Sequence, residues 1–199
     1  TYKTPMPTPR YFFGIAVYQN KIYCMGGKTG GFSAIGVNEV YDPATDTWQT
    51  LQPMPTARMN LQANVVNGKI YSIGGRVSDT SAYNDTIFNL NEVYDPLTDA
   101  WTTKTPIPQV AASIASAVVN NKIYAITPTL TMIYDPQNDS WSQGAPPPSG
   151  HVAIGGVTTG TFAPLRIYTF SVSKVLSYDP RTDSWTDSTS RPTLCEGPG

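Results

Sequence analysis

Few side chains in this sequence could carry acid–base, nucleophilic or metal chemistry. There is one histidine, His151, and there are two cysteines, Cys24 and Cys195. A Ser-His-Asp relay would have to recruit His151, and no Gly-x-Ser-x-Gly turn is present to expose the serine. The cysteines and the histidine do not stand at zinc spacing. Cys24 lies in an apolar run and reads as a small buried filler. Cys195 lies in a Gly/Pro-rich tail and could pair with a thiol elsewhere. Paired aspartates such as Asp42 and Asp46 could suggest calcium, but each pair brackets a Pro-containing turn, where Asp side chains bond nearby backbone N–H groups. Turn capping needs fewer assumptions. No catalytic residue, metal ligand or cofactor site is assigned.

The elements that must position any site follow from a ruler in the sequence. Tyr-Asp-Pro begins at Tyr41, Tyr94, Tyr134 and Tyr178, and a Trp follows each Tyr by 7 residues. Those residues, Trp48, Trp101, Trp141 and Trp185, are all 4 tryptophans of the chain. Ile-Tyr precedes each copy, starting at Ile22, Ile70, Ile123 and Ile167, and Pro-x-Pro opens each copy at Pro5, Pro53, Pro106 and Pro146. The Pro-to-Ile distance is 17 residues in the first three copies and 21 in the fourth. Repeats therefore span about 5–52, 53–105, 106–145 and 146–189, with 190–199 the start of a further repeat or a tail.

Within a repeat, four short apolar runs alternate with turn signals. In the second they are residues 61–66, 69–74, 92–94 and the stretch around Trp101, and Asn67-Gly68 between the first two is a tight-hairpin signal. A four-stranded antiparallel unit recurring every 40 to 53 residues, Trp to Trp, is a propeller blade. Composition agrees. Charged residues make up only 14%, with 16 Gly and 18 Pro, which favours turns over long helices. A net charge of -1 gives no footprint for nucleic acid, and no apolar stretch is long enough to insert in a membrane as a helix.

Gly26-Gly27 and Gly74-Gly75 close the second strand, Tyr stands in the third and Trp in the fourth. In this the sequence resembles the Kelch repeat. The resemblance implies an all-β Kelch β-propeller with four four-stranded blades in this chain. Thr1-Tyr2-Lys3-Thr4-Pro5 matches residues 102–106, and Ser190-Arg191-Pro192 resembles a new opening, so a section of a larger propeller of six or seven blades is expected, with a self-contained four-blade ring as the alternative. Thr127-Pro128 and Phe170-Ser171 replace the glycine pair in the last two repeats, which questions regular pairing at those strand ends. The Tyr and Trp residues are expected in the core.

Loop length marks the candidate binding face. From Ile to the Tyr of Tyr-Asp-Pro the distance runs 19, 24, 11 and 11, so variation sits in the loop after the second strand, residues 28–36 and 76–91. In an antiparallel meander this loop shares a face with the entry to the first strand. There the repeats carry Arg10, Arg58, Ala111 and His151 at one position. With Lys28, Arg76, Asp79, Tyr83, Asp85 and Phe88 they form the candidate site for a protein or peptide partner, or a glycan. Arg10 and Arg58 could instead bond loop carbonyls and hold blades together. The insertion at 158–166, on the opposite face, is a lesser candidate.

Kelch domains commonly bind peptides or proteins through such loops, often with arginines, so the resemblance implies a binding scaffold. Copper oxidases on this scaffold need two His and two Tyr ligands, which one histidine excludes within this chain. A sugar-acting enzyme such as a sialic acid mutarotase, or the recognition domain of a cytosolic adaptor, is the alternative. Low charge, high Thr/Ser content and sequons at Asn84 and Asn138 point to an extracellular or cell-surface setting, with the cytoplasm as the alternative.

Overall fold

A computed structural model of the chain describes residues 2–78, 86–148, 155–158, 165–170 and 174–190. Among them every regular element is a strand. The first repeat forms β1 (Gly14–Tyr18), β2 (Lys21–Met25), β3 (Asn38–Asp42) and β4 (Thr47–Leu51). The second forms β5 (Gln62–Val66), β6 (Lys69–Ile73), β7 (Asn91–Asp95) and β8 (Ala100–Thr103). The third forms β9 (Ala115–Val119), β10 (Lys122–Ile126), β11 (Thr131–Asp135) and β12 (Ser140–Gly144). The fourth forms β13 (Gly155–Thr158), β14 (Ile167–Phe170), β15 (Lys174–Asp179) and β16 (Ser184–Ser190). Each repeat is one antiparallel sheet whose neighbours follow chain order. The chain divides into two compact units, Thr1–Ser113 and Ile114–Gly199.

The turns explain the repeated motif. Asn67 (φ 49) and Gly68 (φ 78) both adopt the left-handed region, as a two-residue hairpin between right-twisted strands requires. In the hairpin joining the third and fourth strands, the first Asp caps the turn. Asp42 Oδ1 accepts from the Ala44 N–H at 2.9 Å, and Asp95 Oδ1 from the Leu97 N–H at 3.0 Å. The second Asp is left-handed (Asp46 φ 55, Asp99 φ 50, Asp139 φ 48, Asp183 φ 48) and accepts the hydroxyl of the motif Tyr. Those O–H···O distances are 2.5 Å for Tyr41, 2.7 Å for Tyr94, 2.6 Å for Tyr134 and 2.6 Å for Tyr178. Turn capping thus accounts for the first aspartate of the motif and the tyrosine hydroxyl bond for the second.

Each motif Trp lies tilted against its Tyr, with ring centroids 4.9 to 5.2 Å apart. The indoles are half-buried rather than enclosed, contrary to the expectation from sequence. They sit on the outermost strand, each beside its tyrosine, and Trp101 and Trp185 also pack at the margin of the apolar clusters. Their indole N–H groups bond backbone carbonyls. Trp101 Nε1 donates to the Gln52 carbonyl and Trp185 Nε1 to the Ala145 carbonyl, both at 2.9 Å. In the third repeat, pairing is regular up to Ile126 and Thr131 without a glycine pair. A tight turn suffices there: Thr127 N donates to the Leu130 carbonyl at 2.9 Å, and the Thr127 hydroxyl oxygen accepts from the Leu130 N–H at 2.9 Å.

In the first unit, Ala16, Tyr23, Met25 and Val40 of the first sheet pack against Met54, Leu61, Ile70 and Tyr94 of the second repeat. In the second unit, Ala115, Ala117, Val119, Tyr124 and Ile126 pack against Ile167 and Tyr178, with Trp185 at the margin.

The phenol–carboxylate pairs set an alkaline limit to stability. Hydrogen bonding to Asp46, aided by burial, pushes Tyr41 up to about 12. Tyr94 and Tyr178 are also raised, first by burial and then by hydrogen bonds to Asp99 and Asp183. These groups keep their protons in the folded chain while an unfolded chain ionises near the ordinary phenol value of 10.0. Their contribution is complete below that pH and is lost as the pH climbs through the folded values. Tyrosinate absorbance of the native protein is expected to lag behind that of the urea-unfolded chain, with unfolding setting in at alkaline pH. Coincident titration curves with the fold intact would contradict this.

Candidate functional site

The loops of the first unit gather where the meander topology puts them. Tyr11 and Lys28 exchange backbone hydrogen bonds at 3.0 and 2.9 Å, which ties the entry of the first strand to the loop after the second. Met59 and Arg76 do the same one repeat later, at 3.0 and 2.9 Å. The two loops are joined by Ala34 N donating to the Val77 carbonyl at 2.8 Å. Neighbouring repeats are strapped together at this end. Gly27 N donates to the Arg58 carbonyl at 2.9 Å, Asn60 N to the Phe12 carbonyl at 2.8 Å, and Ser113 N to the Asn60 carbonyl at 3.0 Å.

Arg10 and Arg58 are turned inward. Arg10 donates from Nε to the Gly26 carbonyl (2.9 Å) and from one terminal nitrogen to the Cys24 carbonyl (2.8 Å), and its other terminal nitrogen pairs with Glu39. Arg58 repeats the pattern with the Gly74 carbonyl (2.7 Å), the Ser72 carbonyl (2.9 Å) and Glu92. Both guanidinium-bearing side chains are fully buried. Burial pulls the Arg58 pKa down and the Glu92 charge opposes it. These arginines fasten the first-strand entry to the second and third strands of their own sheet; they bond carbonyls, but within one blade rather than between blades as the alternative reading from sequence expected. Both guanidinium groups are thereby held inside the sheet rather than presented at the surface.

Lys28 and Arg76 occupy matching repeat positions. Lys28 is buried, its ammonium 5.3 Å from the Tyr11 ring centroid and 5.9 Å from that of Phe32. Arg76 and Phe88 are half-buried, and the Phe88 backbone bonds Gly75 (2.8 Å) and Ala111 (3.0 Å). Asp79, Tyr83, Asp85 and His151 lie outside the described residues, as does most of the insertion at 158–166. The structure therefore brings Lys28, Arg76 and Phe88 to one loop end, with Arg10 and Arg58 as its foundations.

Three aromatics at this end have no place in the sequence-based site. Tyr11, Phe12 and Phe32 are 45%, 49% and 52% exposed. The Tyr11 and Phe12 rings meet edge to face at 4.8 Å, and Lys28 joins Tyr11 to Phe32. Phe12 has φ 60. A left-handed backbone costs a residue with a Cβ about 1–2 kcal/mol and is least expected of a bulky side chain. The same position in the next two repeats holds Asn60 (φ 54) and Ser113 (φ 55), small polar residues better suited to that geometry. That substitution pattern is the sequence signal that would have found Phe12. The signal for the ion pairs is similar: Glu39 and Glu92 stand in the repeats that have Arg, while the third repeat has Ala111 and Met132 at those positions.

Two stretches, residues 9–55 and 57–108, match the Kelch motif. Beta-scruin of Limulus polyphemus is 28% identical over 124 residues, which is 61% of this chain and 13% of that protein. A solved structure described as the structure of YjhT superposes with a TM-score of 0.78 at 16% identity, over 96% of this chain and 68% of that one. The chain thus spans a small part of its curated relative and about two thirds of its structural neighbour. The four sheets are blades of a Kelch-type β-propeller.

Proposed function

We propose that this member of the Kelch-repeat family is a binding module that docks a protein or peptide on the loop end of its first two blades, with Tyr11, Phe12 and Phe32 as apolar anchors. The observation that carries this reading is Phe12. An exposed aromatic held in a costly backbone conformation, where sister repeats use Asn and Ser, has its natural explanation in a contact outside the fold. Exposed aromatics on a rigid backbone are what interface hot spots are made from, and a surface strapped by backbone bonds needs little ordering on association. Lys28 lies between Tyr11 and Phe32 in the patch, and Arg76 and Phe88 belong to the neighbouring loop, whose sequence also holds Asp79, Tyr83 and Asp85. A sugar-acting enzyme would draw on arginines open to the mouth, and Arg10 and Arg58 are committed to carboxylates. An extracellular or cell-surface setting fits the low charge of the chain.

The test separates stability from binding. Phe12→Asn restores the residue type of the second repeat and is expected to leave stability unchanged or raise it by up to about 1 kcal/mol. Combined with Phe32→Ala it is expected to abolish capture of the partner from native extract, while Leu97→Ala on the opposite hairpin end leaves capture intact. Undiminished capture by the Phe12→Asn/Phe32→Ala protein would overturn the assignment. Faster equilibration of sialic acid anomers in the presence of the protein would replace it with the enzymatic reading.

A further inference from the structure

The loops of the first unit form a small ladder of their own, and its hydrogen bonds fix which way each backbone group points. Met59 and Arg76 exchange N–H and C=O directly, as a hydrogen-bonded antiparallel pair does. On its other side Arg76 stands opposite Ile87, and there the flanking residues make the bonds. Val77 N donates to the Thr86 carbonyl at 3.0 Å, and Phe88 N to the Gly75 carbonyl at 2.8 Å. This is the other kind of antiparallel pair, in which each residue turns its own N–H and C=O away from its opposite number. Arg76 turns them to Met59. Ile87 turns them outward, and among the described residues neither group has a partner. The next carbonyl on that side, Asn89, accepts from Ile107 N at 3.0 Å, which ends the open edge.

The first repeat shows what fills such an edge. Gly27 and Gly75 hold matching positions, and Ile35 N donates to the Gly27 carbonyl at 2.8 Å as Phe88 N does to Gly75, so Ala34 is the counterpart of Ile87. The Ala34 N–H donates to the Val77 carbonyl at 2.8 Å, beside the point where Ser33 and Ser78 stand opposite each other. The occupant there is extended chain, supplied by the loop of the next repeat. The third repeat has no loop of that kind, because its chain closes in the tight turn between Thr127 and Leu130. An extended segment presents N–H and C=O groups in the form this edge accepts, whereas a helix spends its own internally. Exposed aliphatic side chains accompany the edge. Ile87 is 40% exposed, and Val110, next to the Ala111 that donates to the Phe88 carbonyl at 3.0 Å, is 54% exposed.

We infer that Ile87 is a strand-addition site: the partner crosses the loop of the second blade as an extended segment, one residue of which exchanges N–H and C=O with Ile87. Apolar side chains of that segment meet Ile87 and Val110. This names the form of the partner, and it rests on the reading that a protein or peptide docks at this end of the first two blades.

The test uses peptides selected from a random-sequence phage library against the protein, each resynthesised with a single N-methyl group at every position in turn. Methylation of one central residue is expected to weaken binding at least about tenfold, while its two neighbours, whose N–H groups point away from the edge, tolerate it. Hydrogen exchange at the Ile87 amide, followed by NMR, is expected to be fast in the protein alone and at least about tenfold slower with the peptide bound. The Phe88 amide, already bonded to Gly75, should change little. Losses at every position or at none, or an Ile87 amide that the peptide leaves unchanged, would overturn the inference. So would an Ile87 amide already slow in the protein alone, because the chain's own residues would then fill the edge. Binding that Phe12→Asn/Phe32→Ala abolishes while the Ile87 amide stays fast removes strand addition and leaves the aromatic docking surface standing. A library that yields no binder removes both.

Discussion

Glu92→Ala is expected to destabilise the first unit by about 3–5 kcal/mol, the cost of leaving one partner of a buried ion pair uncompensated. The Arg58 side chain is fully buried and remains bound by the Gly74 and Ser72 carbonyls, so it cannot swing into water when the carboxylate is removed. Backbone carbonyls carry only partial charge and do not neutralise a guanidinium. Against a typical stability of about 5–15 kcal/mol, the loss is enough to unfold a marginal domain on mild heating. Glu39→Ala should act alike through Arg10. Asp42→Ala provides the contrast for the ion-pair term, since its partner Lys21 is solvent-exposed and such pairs contribute at most about 1 kcal/mol. Urea unfolding followed by tryptophan fluorescence measures both; a Glu92→Ala loss below about 1 kcal/mol would mean that the pair does not hold the blade.

Gly74→Ala is the second substitution with a large expected effect. Gly74 has φ 66, and a Cβ built on it would stand 2.2 Å from the Ala111 carbonyl oxygen. That carbonyl cannot retreat freely, because it accepts the Gly75 N–H at 2.7 Å. The left-handed conformation alone costs about 1–2 kcal/mol, and displacement of the carbonyl should bring the total to about 2–4 kcal/mol. Gly26 repeats the arrangement, 2.3 Å from the Arg58 carbonyl oxygen. Gly30→Ala is the control: nothing lies within 4 Å of its Cβ position and its backbone is not left-handed. Thermal unfolding should separate the two variants clearly, and equal midpoints would contradict the close approach at Gly74.

Much of the fold was legible because the repeat is enforced by local chemistry. Tyr-Asp-Pro and the Trp that follows encode a hairpin whose two aspartates have separate duties, one capping the turn and one receiving the tyrosine hydroxyl. Asn67-Gly68 announces its turn without help from the rest of the chain. Less legible were features that depend on sequence-distant neighbours. Arg10 and Arg58 looked like binding donors because the carboxylates that absorb them are 29 and 34 residues away. The tryptophans looked like core because burial of an outer strand depends on what lies beyond it. Phe12 gave no signal on its own; only its place opposite Asn60 and Ser113 marks it. The charged loop residues read from length variation, Asp79 and Asp85, fall outside the described part of the chain, and Phe88 is partly drawn into the strapping between loops.

The assignment of the loop end of the first blade as the contact surface is tested most directly by proximity. A photo-cross-linking amino acid is placed at position 32 or at position 97 of the protein while it holds its captured partner. Docking on the aromatic patch requires cross-links from position 32 and none from position 97. Cross-links from position 97 alone would put the partner on the opposite hairpin end and contradict the assignment.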